Sequence, residues 1–152
     1  MNKTLVTVVL SLALCTGTAL TVLSQANPEA MVKQRQAAMT LLGKYYGPLA
    51  AMADGKAQLS ADVVARNAGY LDVLSTMPWD GFGANTAGEK SRALPTVYSD
   101  PAKFKSAGDE LRSAAAKLLT IAKSKDAAAI KSAVGTVGES CGGCHKAFRR
   151  PS

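Results

Sequence analysis

The chain is short of the groups on which most enzyme chemistry is built. It holds one histidine in 152 residues, so no pair of imidazoles can share a metal or relay protons. Three cysteines do not make a disulfide framework. Aromatic residues are 5% of the chain, with a single tryptophan, so stacking platforms for nucleobases are scarce and aromatic rings alone cannot fill a core. Acidic residues number 11 against 18 basic ones, a formal charge of +7. The cations are spread along the chain without a recognition motif, which argues against nucleic acid and for encounter with acidic partners or anionic surfaces. No internal repeat or low-complexity tract appears.

What is present gathers near the end of the chain, in Cys141-Gly142-Gly143-Cys144-His145. On a helix, positions i, i+3 and i+4 share one face, so both thiols and the imidazole point the same way. This spacing suits covalent attachment of one haem c, with Cys141 and Cys144 as thioethers to the two vinyl groups and His145 as axial iron ligand. The only histidine completes the motif. Half of a zinc site and a thioredoxin-like redox pair are the other readings of the CxxC. Zinc would need further ligands, and neither a second cysteine pair nor a second histidine exists to supply them.

The opposite end reads as an export signal. Lys3 is followed by an apolar run from Leu5 to Leu14, and Ser24-Gln25-Ala26 places small residues where a signal peptidase looks. Residues 1–26 are therefore expected to be a cleaved signal peptide and residues 27–152 the mature domain. A membrane anchor is the competing reading, since weakly apolar residues continue to Leu23, but Thr16, Gly17, Thr18 and Thr21 make a poor span. Leu14 is bulky for a lipid-modified Cys15, and cleavage leaves two cysteines, both used by haem. No stable membrane anchor is then expected. The chemistry of haem attachment places the product in the periplasm. Loss of Lys3 takes the charge from +7 to +6, and two haem carboxylates lower it further.

The remaining stretch is one domain in length, and its pattern predicts four helices. The first opens at Asn27-Pro28-Glu29, where Asn caps and Pro takes the first turn. Met31, Arg35, Ala38, Met39, Leu42, Tyr45, Tyr46, Leu49 and Met52 recur at helical spacing until Asp54-Gly55. Gly47-Pro48 predicts a kink. The second starts near Ser60, turns Val63, Tyr70, Leu71 and Leu74 inward, and ends before Pro78. A long loop with Trp79, Phe82 and Tyr98 follows, suited to covering a cofactor edge. Asp100-Pro101 opens the third helix, with Phe104, Ala107, Leu111, Ala115, Leu118, Leu119 and Ala122 on its stripe. Asp126 caps the fourth, which carries Ile130, Val134, Val137 and the haem motif through to Phe148. Short connections make these last two antiparallel. The fold class expected is all-α, an antiparallel four-helix bundle enclosing one covalently bound haem.

A haem motif at the C-terminus, Arg35-Gln36-x-x-Met39 in the first helix, and Pro78-Trp79-x-x-Phe82-Gly83-x-x-Thr86 before the third together resemble cytochrome c′. The resemblance implies thioethers at Cys141 and Cys144 and the proximal ligand at His145. Arg149 matches a basic residue beside the proximal haem face, or else a charge favouring the helix C-terminus. Arg35 matches a residue near a haem propionate, which a guanidinium can bind through two parallel hydrogen bonds, with a solvated helix charge as its alternative. Gln36 is its weaker neighbour, and Trp79 and Phe82 match aromatics packed around haem. Met39 matches the distal residue of the first helix. Held off the iron, it implies a five-coordinate, high-spin haem open to nitric oxide and carbon monoxide; bound through sulfur, it is the sixth ligand of a low-spin electron carrier. Its third option is ordinary core packing. The redox partner is unknown at this stage, and the resemblance implies homodimers through the first two helices. Without a second histidine for acid–base work, no enzyme is expected.

Overall fold

The computed structural model describes residues 27–124 and 126–151; the expected signal peptide lies outside the described residues. Five α-helices are α1 (Pro28–Ala53), α2 (Ala61–Leu74), the single turn α3 (Thr96–Ser99), α4 (Pro101–Ala122) and α5 (Ala127–Phe148). The four long ones form the bundle. Each of α1 and α4 packs against both α2 and α5, which closes a ring of four helices around one core.

The caps fall where the sequence places them. Asn27 accepts from the Glu29 amide, Ser60 from Val63, Asp100 from Lys103, and Asp126 from Ala128 and Ala129. Each satisfies a donor that the first helical turn cannot pair internally. Pro48 sits inside α1 without ending it, and the helix runs on to Ala53. The core is aliphatic. Leu49, Leu71 and Leu118 are its largest fully buried apolar side chains, joined by Val64, Val134 and Val137, and each such burial is worth about 1.5–3 kcal/mol.

Three sequence expectations change. Tyr70 does not turn inward: it is 44% exposed and its ring packs 4.5 Å from that of Tyr45 on the outside of the α1/α2 pair. Val64, Asn67 and Ala68 take the buried positions instead, and the polar one among them is paired, since Asn67 Nδ2 donates to the Tyr45 carbonyl at 3.0 Å. On α1 Val32 is buried, and Met31 only partly. The stretch expected to be one long loop contains two 3₁₀ turns, Trp79–Phe82 and Ala84–Thr86, and then α3. No helix among the described residues is long and apolar enough to cross a membrane.

Candidate haem site

The loop between α2 and α4 is anchored by one buried arginine. Arg35, on α1, is 3% exposed. Its Nη1 donates to the Gly81 carbonyl at 2.6 Å, Thr86 Oγ1 at 3.1 Å and the Tyr98 hydroxyl at 3.4 Å, and its Nη2 donates to Ser91 Oγ at 2.9 Å. The guanidinium also lies 4.3 Å from the centre of the Phe82 ring, a favourable cation–π distance. Gly81 is required for this approach, since a Cβ there would stand 2.6 Å from Arg35 Cβ and 2.7 Å from the Met31 carbonyl. Thr86, fully buried, donates to the Gly83 carbonyl at 2.7 Å. Arg35 is therefore not a solvated helix charge.

Trp79 is seated by α4. Its indole N–H donates to the Ser75 carbonyl at 2.6 Å, and its ring lies over Gly108, where a Cβ would meet three ring carbons at 3.0–3.2 Å. Phe82 and Phe104 pack against it, and Phe104 in turn meets Phe148 edge-on at 5.2 Å. The one tryptophan and all three phenylalanines of the chain are thus concentrated in one place.

Two adjoining cavities open beside these rings. The first, about 230 Å³, is walled by Met39, Leu42 and Tyr46 from α1, Leu71 from α2, Leu111 from α4, and Val137, Cys141, Cys144 and His145 from α5. The second, about 420 Å³, shares Met39, Cys144, His145 and Arg149 with the first and opens past Arg35, Gln36, Phe82 and Arg92. Together they make a slot with a carbon-lined inner end and a cationic mouth. Gln36 and Arg149 are exposed at that mouth, while Met39, Cys141, Cys144 and His145 are half-buried.

This donor set fits a haem. Both thiols and the one imidazole reach the same apolar slot from one helix, and the two-ended lining matches an apolar macrocycle with carboxylates on one edge. Burial is the main cause that holds the Cys141 thiol above its ordinary value. At Cys144 burial is joined by the fields of Cys141 and Glu110. Redox-active CxxC pairs need the opposite, a depressed thiol in a positive environment. Among the described residues no group of three or more histidine, cysteine or acidic side chains gathers to hold a metal ion, so the zinc reading lacks its ligands. Burial, then Arg149 and Arg92, lower the His145 imidazole below its usual value, which keeps it in the neutral form that can ligate a metal.

The Cytochrome C′ family model matches residues 30–149. The chain belongs to the cytochrome c′ family. A cytochrome c′ of Rubrivivax gelatinosus is 42% identical over 123 residues, covering 80% of this chain and 95% of that protein. The structure of cytochrome c′ from Shewanella frigidimarina superposes with a TM-score of 0.80 at 33% identity, covering 83% of this chain and 98% of that one. The nitric oxide complex of a leucine-to-alanine mutant of the Alcaligenes xylosoxidans protein gives 0.77 at 35% identity, covering 84% and 98%; a leucine-to-glycine variant of the same protein has been solved with carbon monoxide. Like other cytochromes c′, this chain carries a covalently bound c-type haem. The family is one of haem proteins for electron transfer and gas binding rather than classical enzymes.

Arg92, Tyr46, Phe104 and Phe148 line this cytochrome c′ slot without having been singled out for it in the sequence. Arg92 lies in an aperiodic segment, and what brings it to the site is pairing across the chain: Leu94 N–H donates to the Phe148 carbonyl at 2.9 Å and Arg150 N–H to the Arg92 carbonyl at 2.8 Å. Tyr46 and Phe104 carried a helical-spacing signal, but that signal does not separate a cofactor wall from core.

Proposed function

We propose that this chain is a periplasmic, five-coordinate cytochrome c′ that binds nitric oxide, and carbon monoxide more weakly, at its haem. Cys141 and Cys144 would hold the haem by thioethers, and His145 would ligate its iron. When bound, the haem would supply a redox-active iron able to take small diatomic ligands. The observation that carries this reading is the inner slot wall. Met39, Leu42, Leu71 and Leu111 face the cavity that His145 enters. Apolar walls exclude water and ions and admit small, nearly apolar gases. Tyr46 is the one hydroxyl that α1 adds there, and its O–H is directed to the Val134 carbonyl at 3.4 Å, leaving dioxygen without a dedicated donor. The Alcaligenes proteins solved with nitric oxide and with carbon monoxide support the ligand class.

Arg35 and Phe82 hold the loop over the slot, with the guanidinium contributing positive charge toward the haem carboxylates. Trp79 closes the α4 side. Gln36 and Arg149 stand at the mouth, Arg149 on the same wall as His145. Residues 1–26 are the export signal removed on the way to the periplasm. Two copies pair through α1 and α2, where Leu41, Tyr70, Val73 and Met77 are 38–55% exposed and would be covered.

The test is the absorption and electron-spin spectrum of the ferric and ferrous holoprotein, with and without Met39→Ala. High-spin ferric iron in the wild type, and carbon monoxide affinity raised about tenfold or more by the truncation, are expected from relief of crowding. Low-spin ferric iron converted to high-spin by Met39→Ala would make Met39 the sixth ligand and the protein an electron carrier.

A further inference from the structure

We propose that the mouth of the slot is the docking face for an acidic one-electron carrier protein. The proposal rests on the haem assignment but not on its coordination state. The mouth is built from two chain segments that carry like charge. Arg92 and Arg149 line the second cavity beside His145, and exposed Lys90, Lys146 and Arg150 adjoin them in sequence. Glu89 is the one carboxylate in these two stretches, and it is half-buried.

The fold places these cations together against their mutual repulsion. Ala93 and Arg149 form an antiparallel bridge, and the Arg92 guanidinium donates to the Arg150 carbonyl at 2.8 Å while Arg150 donates to the Ser91 carbonyl. Like charges directly opposite on paired segments are destabilising. Lys90, Lys146, Arg149 and Arg150 take part in none of the four ion pairs among the described residues, Lys33–Glu29, Lys56–Asp54, Lys105–Asp109 and Arg112–Asp109. The cations of the mouth outnumber the two carboxylates that a haem brings. The groove between α4 and α5 is mixed by contrast: Asp109, Glu110 and Glu139 share it with Lys117, and Asp109 is already paired with Lys105 and Arg112. A cationic opening attracts an acidic partner before contact.

A protein is favoured over a lipid surface because none of the exposed large apolar side chains that would insert into a bilayer, Leu41, Tyr70, Val73 and Met77, lines the cavity at the mouth. The step served is a one-electron exchange. The partner is oxidised by one electron as this chain is reduced by one; no bond forms or breaks and no proton has to move.

The experiment uses the holoprotein and an acidic [2Fe–2S] ferredoxin as the probe, with binding read by calorimetry and electron exchange by stopped flow. Lys90→Glu with Lys146→Glu cancels the positive charge of these two stretches, and neither side chain makes a hydrogen bond or ion pair. Lys123→Glu with Lys131→Glu, both exposed, at the end of α4 and on α5, changes net charge equally. The mouth variant is expected to bind about tenfold more weakly and the control within about twofold, with wild-type binding falling about tenfold between roughly 20 and 200 mM salt. Equal losses in both variants would show that only net charge acts and would overturn the proposal. Binding to phosphatidylglycerol vesicles that exceeds ferredoxin binding and is lost in the mouth variant would overturn it in favour of a membrane surface. An absorption spectrum of each variant separates this outcome from failure of the five-coordinate assignment, because altered coordination appears there and altered docking does not.

Discussion

Replacing Arg35 by methionine removes a buried cation whose four acceptors are all uncharged. Charge-assisted bonds are worth about 1.5–3 kcal/mol each, so simple addition over the bonds to Gly81, Thr86, Ser91 and Tyr98 would give a loss near the whole stability of a small domain. The structure argues for less. Thr86 and Tyr98 remain 3.0 Å apart, and Ser91 Oγ keeps the Ala93 amide at 3.3 Å. The Gly81 carbonyl alone loses its donor, because the one Thr86 proton is given to Gly83 at 2.7 Å, and the desolvation cost of the guanidinium disappears with the charge. Arg35→Met is therefore expected to destabilise the holoprotein by about 2–4 kcal/mol, or roughly 10 °C in Tm. Guanidinium unfolding followed by circular dichroism and haem absorbance measures the global effect. Hydrogen exchange measures the local one, which should rise across residues 79–99 more than in α4 and α5. Arg35→Lys keeps the charge but loses the planar fork, so it should recover less than half of the loss. A methionine variant within about 0.5 kcal/mol of wild type, with unchanged exchange in the loop, would refute the claim that Arg35 fastens it.

Cys141→Ala with Cys144→Ala should abolish covalent haem, read as loss of the haem chromophore from the denatured chain; a chromophore that survives denaturation in this variant would reject attachment at these thiols. Gly138→Ala gains about 1 kcal/mol of helix propensity, but its Cβ would overlap the Tyr46 hydroxyl, so a net loss of about 1–2 kcal/mol is expected by chemical unfolding. Tyr46→Phe should soften that loss in the double variant, and strict additivity would sink the assigned clash. Tyr46 also sets an alkaline limit. Burial is the main cause that raises its pKa above the ordinary value, so the fold favours the neutral phenol and its contribution is complete below the unfolded value and lost as pH rises through the folded one. Stability curves of wild type and Tyr46→Phe should therefore diverge in slope above about pH 10, and parallel curves would contradict this assignment.

Chemistry and helix boundaries were legible in the amino-acid order because both are local. Two cysteines and a histidine at i, i+3 and i+4 share a helix face whatever surrounds them, and Asn27-Pro28, Ser60, Asp100-Pro101 and Asp126 cap their helices through contacts within three residues. The buried stripes of α4 and α5 follow from the same period. Tyr70 shows where periodicity stops: spacing places it near the inner edge of α2, but Asn67 and Ala68 take the buried positions, and the larger ring is turned out against Tyr45. The role of Arg35 was visible only as alternatives, since nothing in helical spacing reveals that Gly81, Thr86, Ser91 and Tyr98, 46 to 63 positions away, converge on its guanidinium. Arg92 reaches the slot through a bridge to the C-terminal end of α5 that no local pattern encodes. The sequence by itself therefore determined the haem-binding chemistry, the helices and their caps, because these depend on neighbours along the chain. The tertiary structure decided which charges line the mouth and what fastens the loop above the slot, because those depend on contacts that form only when distant segments pack.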